Sequence, residues 1–324
     1  MDKEILLKTE NLNVDFKMKD GLPFVKKKFV RAVTDVSVEI FRGETFGLVG
    51  ESGCGKSTFA NATLGLLRPS SGKVIFCGKD VSSLKGAKLK EERRRMQKIF
   101  QDPAASLNPR FSVLDIVTEP LLIRGGYNKE ERRRLAIEML EKVGLSEADL
   151  PRSASEFSGG QQQRIAIARS LIIRPEYLVC DEPVSALDVS VHAQILNLLV
   201  DLQREMGVTY LFISHNLAVV KKICSRMAIM YLGKVVEYGS TEKIFSNPLH
   251  PYTKALMSAV LDTDVTHKKE RIILKGDVSS PVNPPAGCRF CKRCPVAKED
   301  CEKVPCMLEE VETDHFVACR FINK

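Results

Sequence analysis

The sequence predicts an α/β protein built round a phosphate-binding loop, with a charged, helix-rich stretch in its middle and a small cysteine-rich C-terminal extension. Three observations carry that reading. Gly50-Glu51-Ser52-Gly53-Cys54-Gly55-Lys56-Ser57 fits the glycine-rich pattern that cradles phosphates, and it stands between a short apolar stretch and a helical one. Tyr177-Leu178-Val179-Cys180-Asp181-Glu182 reads as an apolar strand ending in two carboxylates, the first of several short apolar runs in the second half. Six of the ten cysteines fall close to the C-terminus, from Cys288 to Cys319. At 324 residues the chain exceeds one average domain and is long enough to bury a sizeable core.

The elements follow in order. Residues 5–16 alternate like a strand, Gly21-Leu22-Pro23 breaks the pattern, and residues 29–40 resume it with Val33, Val36, Val38 and Ile40, so two antiparallel strands are expected over the nucleotide side. Residues 45–49 form a short buried strand feeding the glycine loop, and residues 56–67 a helix that stops near Arg68-Pro69-Ser70-Ser71-Gly72. From residue 85 to about 155 charges dominate, and residues 130–143 place Leu135, Ile137, Met139, Leu140 and Val143 at helical spacing. Strands return at 177–180, 208–213, 227–230 and 234–237, the last two joined by a turn at Gly233. Helical periodicity over 191–202 separates the first two, as a crossover connection requires. Beyond Ala259 the chain turns loop-rich, with Pro281, Pro284 and Pro285 leading into the cysteines, and a boundary is expected near Leu261, dividing 1–261 from 262–324. No internal repeat is present in the sequence, which makes this one nucleotide-binding unit.

Composition narrows the class. The 49 basic and 41 acidic residues leave +8, much of it in Lys26-Lys27-Lys28 and over 88–98 and 129–134. Solvated helix faces account for these runs, and with no zinc-finger, basic-zipper or RNA-recognition pattern, nucleic acid is not expected as a partner. No apolar run is long enough to span a bilayer, and Met1-Asp2-Lys3-Glu4 is charged where a secretory signal needs an apolar stretch, so a cytoplasmic protein is expected.

The chemistry is that of a bound triphosphate. Glycines 50, 53 and 55 let the backbone turn its N–H groups inward at a helix N-terminus, which makes a nest for anions. Lys56 is placed for the β- and γ-phosphates and Ser57 for Mg²⁺. Asp181 is placed to hold Mg²⁺, commonly through water, and Glu182 to accept a proton from the attacking water. ATP and Mg²⁺ are the expected cofactors.

With Phe157-Ser158-Gly159-Gly160-Gln161-Gln162-Gln163-Arg164 added, these motifs resemble the ATP-binding cassette ATPases. The resemblance implies a P-loop NTPase (RecA-like) core, an antiparallel β-subdomain and an α-helical subdomain inserted over about residues 85–164. It implies that Ser158, Gly159, Gly160 and Gln161 reach the γ-phosphate held by another subunit, so that two ATPase domains must pair. Pro183-Val184-Ser185-Ala186-Leu187-Asp188 matches the stretch that communicates between subunits after the catalytic glutamate. His215 matches the switch histidine, which contacts the γ-phosphate and holds the attacking water. Gln101, within Ile99-Phe100-Gln101-Asp102-Pro103, matches the glutamine that approaches Mg²⁺ and the water, and Thr58 the residue that touches the α-phosphate. An aromatic ring usually stacks on the base from the end of the first strand; Phe16 is the best match, with Phe29 as the alternative.

Residues 97–110 and 247–256 resemble the oligopeptide and dipeptide permease ATPases within this group, and the long first hairpin with Cys54-Gly55-Lys56-Ser57 is closer to the second, F-type, of their two paired subunits. The implied function is an ATP-hydrolysing subunit of a peptide importer, peripheral on the cytoplasmic face of the membrane. Its implied partners are a paralogous ATPase, two transmembrane permease subunits and, indirectly, an extracellular solute-binding protein. Import of nickel or another small solute, and a soluble ATPase acting on nucleic acid, stand as alternatives. In a reducing cytoplasm so dense a cysteine tail argues for metal binding over disulfides. Gly287-Cys288, Arg293-Cys294-Pro295, Cys301 and the run from His315 to Cys319 are similar to the peptide-permease tail, some members of which carry a [4Fe–4S] cluster. Cys288, Cys294, Cys301 and Cys319 are accordingly the expected ligands, with Zn²⁺ as the rival ion and Cys291 and Cys306 as departures from the pattern.

Overall fold

In the computed structural model the described residues are 4–18, 28–259, 272–274, 276 and 279–322; the boundary expected near Leu261 lies outside them. Among these residues the strands are β1 (Ile5–Lys17), β2 (Phe29–Phe41), β3 (Thr45–Val49), β4 (Ser71–Phe76), β5 (Lys79–Asp80), β6 (Met96–Ile99), β7 (Tyr177–Asp181), β8 (Thr209–Ser214), β9 (Arg226–Tyr231), β10 (Lys234–Ser240), β11 (Glu309–Glu312) and β12 (His315–Val317). The α-helices are α1 (Lys56–Thr63), α2 (Gly86–Arg93), α3 (Pro103–Ser106), α4 (Val113–Arg124), α5 (Lys129–Lys142), α6 (Gly159–Leu171), α7 (Val189–Met206), α8 (Leu217–Ile223), α9 (Thr241–Ser246) and α10 (Pro251–Ser258). The chain divides into two compact units, one of residues 1–4, 41–44 and 84–213, the other of 5–40, 45–83 and 214–324.

The first unit carries a parallel sheet in the order β6-β7-β8. All five residues of β7 are buried, as an apolar run covered on both faces must be. The strand β6 was not expected: Met96 and Ile99 are buried at its ends, but Gln97 and Lys98 between them hide the apolar signal. Helix α5 starts one residue before the predicted span because Asn128 and Glu131 form a capping box at 2.9 and 2.8 Å. Helix α7 runs beyond the predicted 191–202 and is closed by Gly207 at φ 67.

In the second unit β2, β1, β4 and β5 form a sheet in that order, and β1 meets β4 antiparallel with Leu7 opposite Phe76. Met18 bonds Lys28 while Thr9 bonds Val36, so β1 and β2 run antiparallel as predicted. A second ladder runs β3-β9-β10-β12-β11, with β3 and β9 parallel and the remaining pairs antiparallel. Helix α1 is shorter than predicted: it ends at Thr63 because Gly65 turns left-handed at φ 65 and the N–H groups of Leu66 and Leu67 fold back onto Asn61. The cysteine tail belongs to this unit. Its β12 pairs with β10, and the fully buried His315 meets the fully buried Glu237 at 2.8 Å, where Glu237 also accepts the N–H groups of Leu249 and His250.

Candidate nucleotide-binding site

The phosphate loop, Phe16 and His215 lie in the second unit; Gln101, Asp181, Glu182 and Ser158 to Gln161 lie in the first. In the loop Lys56 is buried and folds its ammonium back onto the carbonyls of Gly50 at 2.7 Å and Glu51 at 3.0 Å, which shapes the backbone around the space a phosphate would take. The glycines are required by contact. A Cβ on Gly50 would stand 2.2 Å from the Met230 carbonyl, and one on Gly55, at φ +108, 2.1 Å from that of Ala32. Gly53 faces open space, so its role is the left-handed φ of +76. Cys54 is buried under the loop, and that burial pushes its thiol up. Ser57 is exposed and Thr58 half-buried in the first turn of α1. Such a cradle fits a triphosphate with its Mg²⁺.

Phe16 is 42% exposed and Phe29 38%, so both rings are open to stacking and neither belongs to the core. His215 is exposed between β8 and the cap of α8, where Asn216 receives the N–H groups of Ala218 and Val219.

In the first unit the amide of Gln101 donates to the Glu182 carboxylate at 3.0 Å, so two residues 81 positions apart are brought together at the end of β7. Asp181 pairs with Lys98 at 2.8 Å, both nearly buried; Lys98, on the strand missed in the sequence, was not foreseen. Glu182 holds a left-handed φ of 49. Ser158, Gly159 and Gln161 are exposed at the start of α6, where Ser158 and Gln161 form a capping box. The box takes up the N–H groups of Ser158 and Gln161, and the exposed Gly159 opens a helix N-terminus, which favours an anion.

In the tail all six cysteines line one small cavity, with His250 and Phe290 in its wall. The donor chemistry suits a soft metal, but the arrangement does not: among the described residues no group of three or more cysteine, histidine or carboxylate side chains is placed to hold an ion. The expected ligands Cys288, Cys294, Cys301 and Cys319 all line this cavity, but among the described residues they form no group placed to hold a single ion such as Zn²⁺. Cys288 instead shares a hydrogen bond with Cys306, which raises the first thiol and lowers the second, and burial raises Cys291, Cys294 and Cys319.

Comparison with known proteins decides the family. Residues 33–185 match the model of the ABC transporter family, and residues 236–301 that of the oligopeptide/dipeptide transporter C-terminal region. The oligopeptide transport ATP-binding protein OppF of Salmonella typhimurium is 48% identical across 98% of this chain and 96% of its own length. The chain belongs to the ABC transporter family. AppF of Bacillus subtilis, another oligopeptide transport ATP-binding protein, is 46% identical across 99% of both chains. Among solved structures, the dimeric post-hydrolysis cassette MJ0796 bound to ADP and Pi superimposes with a TM-score of 0.64 at 31% identity, covering 72% of this chain and 98% of that one. The cassette cbiO1 from Clostridium perfringens gives 0.66 at 29%, covering 76% and 92%. Within this ABC ATPase no helix of the described residues is long and apolar enough to cross a membrane.

Proposed function

We propose that this chain is the ATP-binding, ATP-hydrolysing subunit of an ABC importer that powers uptake of di- or oligopeptides through a membrane permease. The observation that carries the reading is its likeness to oligopeptide transport ATP-binding proteins along almost its whole length. Lys56 and the N–H groups of the loop hold the phosphates; Ser57, Gln101 and Asp181 serve the Mg²⁺; Phe16 stacks on the base. Bound Mg²⁺ neutralises charge that develops on the phosphates. Glu182 takes the proton of the attacking water and is oriented by Gln101, while His215 steadies that water near the γ-phosphate. The exposed Ser158 to Gln161 turn completes the site of a second ATPase subunit, a paralogue. Two permease subunits receive the pair on the cytoplasmic face, and an extracellular binding protein delivers the solute to them.

The test is reconstitution with the permease genes that neighbour this one. Glu182→Gln is expected to lower ATP turnover at least about a hundredfold while leaving ATP binding intact. Peptide uptake that follows ATP, with no competition from nickel, supports the reading; wild-type turnover in Glu182→Gln, or uptake of nickel alone, overturns it.

A further inference from the structure

The tail segment Cys288-Arg289-Phe290-Cys291-Lys292-Arg293-Cys294 has two faces. Cys288, Cys291 and Cys294, three residues apart round a short 3-10 turn, line the thiol cavity. Arg289 and Arg293 make their bonds away from that cavity, Arg293 to the phosphate loop, and Phe290 lies between, one side in the cavity wall. Phe290 is 1% exposed and packs edge-on against Tyr231, with centroids 5.2 Å apart, and against Tyr252 at 5.4 Å. Arg289 donates to the carbonyl of Leu232 and to the hydroxyl of Thr34. Arg293 reaches across 242 positions of sequence: its Nη1 donates to both carboxylate oxygens of Glu51, at 2.9 and 3.2 Å, and to the Tyr231 hydroxyl at 3.4 Å.

Glu51 is consequently fixed at three points. Its N–H donates to Tyr252 at 3.1 Å, its carbonyl receives Lys56 at 3.0 Å, and its carboxylate is held by Arg293. A carboxylate in a loop built to receive a triphosphate needs neutralising, because a free negative charge there repels the ligand and pulls on Lys56. Arg293, with a side chain only 10% exposed, supplies that neutralisation in a partly desolvated place where water screens little.

We propose that Arg293 is a positioning residue for nucleotide binding: the cysteine-rich tail reaches the phosphate loop through it and, by holding Glu51, keeps the loop open and its charge balanced for phosphate. The proposal rests on the reading of residues 50–58 as the triphosphate cradle. It assigns the tail a place in ATP affinity.

The full-length chain is titrated with a fluorescent ATP analogue, and KM and kcat for ATP are measured with the permease. Arg293→Ala is expected to weaken binding and raise KM about tenfold or more, with kcat changed less than threefold. Arg293→Lys, which retains the charge, recovers part of the affinity. In a Glu51→Gln background, where no carboxylate remains to be held, Arg293→Ala costs no more than about twofold. An unchanged affinity in Arg293→Ala, or an equal loss in both backgrounds, overturns the proposal. If Arg293→Ala does not fold, Arg293→Lys and the double variant are read by the same criteria. Lys56→Ala serves as the separate control: if wild type binds no analogue, or Lys56→Ala binds it equally well, the nucleotide reading itself fails, independently of Arg293.

Discussion

Glu182 occupies a left-handed backbone position, φ 49, that costs a non-glycine residue about 1–2 kcal/mol. Its N–H is pinned to the Ile213 carbonyl at 3.0 Å and its own carbonyl receives Ser185, so the chain holds the strain where the carboxylate is aimed. Glu182→Gly is therefore expected to abolish turnover yet leave the thermal unfolding midpoint unchanged or raised; a clear fall would show the position to be unstrained. His250 gives a pH prediction. Fully buried, it is driven down to about 4 by desolvation, which outweighs the opposing pull of the Glu237 carboxylate. Its folded value lies below its ordinary 6.5, so the unfolded chain takes up the proton first. The stabilisation is complete above about pH 6.5 and is lost as pH falls toward about 4, by a total of about 3 kcal/mol. Denaturant midpoints between pH 7.5 and 4.5 should fall, and less steeply in His250→Asn.

Helix α6 shows how a motif serves as an element. Its Ser158 cap and Gln161 are joined by reciprocal bonds, and a Cβ on Gly160 would stand 2.7 Å from Val191, a β-branched side chain with little room to yield. Gly160→Ala should displace the start of α6 from α7 and cost about 1–3 kcal/mol, read as a lowered urea midpoint. The same contrast between local and distant causes explains what the sequence disclosed. Strands such as β7 and β8 were legible because each holds a run of apolar residues, 177–180 and 210–213, and α5 and α7 because their apolar spacing is helical. β6 was not, since Gln97 and Lys98 occupy half of four residues, nor β4, whose Ser71-Gly72-Lys73 reads as the tail of a turn. The glycine loop and the carboxylates of β7 were readable from spacing. The partners Lys98 of Asp181 and Arg293 of Glu51 were not, because nothing local marks which distant cation a carboxylate will meet.

One chain carries a single phosphate loop and a single Ser-Gly-Gly-Gln helix start, and a net charge of +8 sets copies against one another before any contact forms. A triphosphate with its Mg²⁺ brings about two negative charges, so each bound nucleotide lowers one chain's excess while offering the start of α6 an anion to bind. Association should therefore require ATP itself. In sedimentation, Glu182→Gln, which retains the uncleaved nucleotide, is expected to pair with ATP and Mg²⁺, most strongly beside the neighbouring ATPase subunit, and to stay single with ADP. Ser158→Glu sets a carboxylate where the phosphate would approach and should abolish pairing while leaving binding of the ATP analogue within about twofold. Because the repulsion between like-charged copies is long-range, moderate salt should favour the ATP-bound pair, whereas a contact made chiefly of exposed ion pairs would weaken. A single sedimenting species under every one of these conditions would remove the cross-subunit role from Ser158 to Gln161 and leave the loop to hold its nucleotide alone.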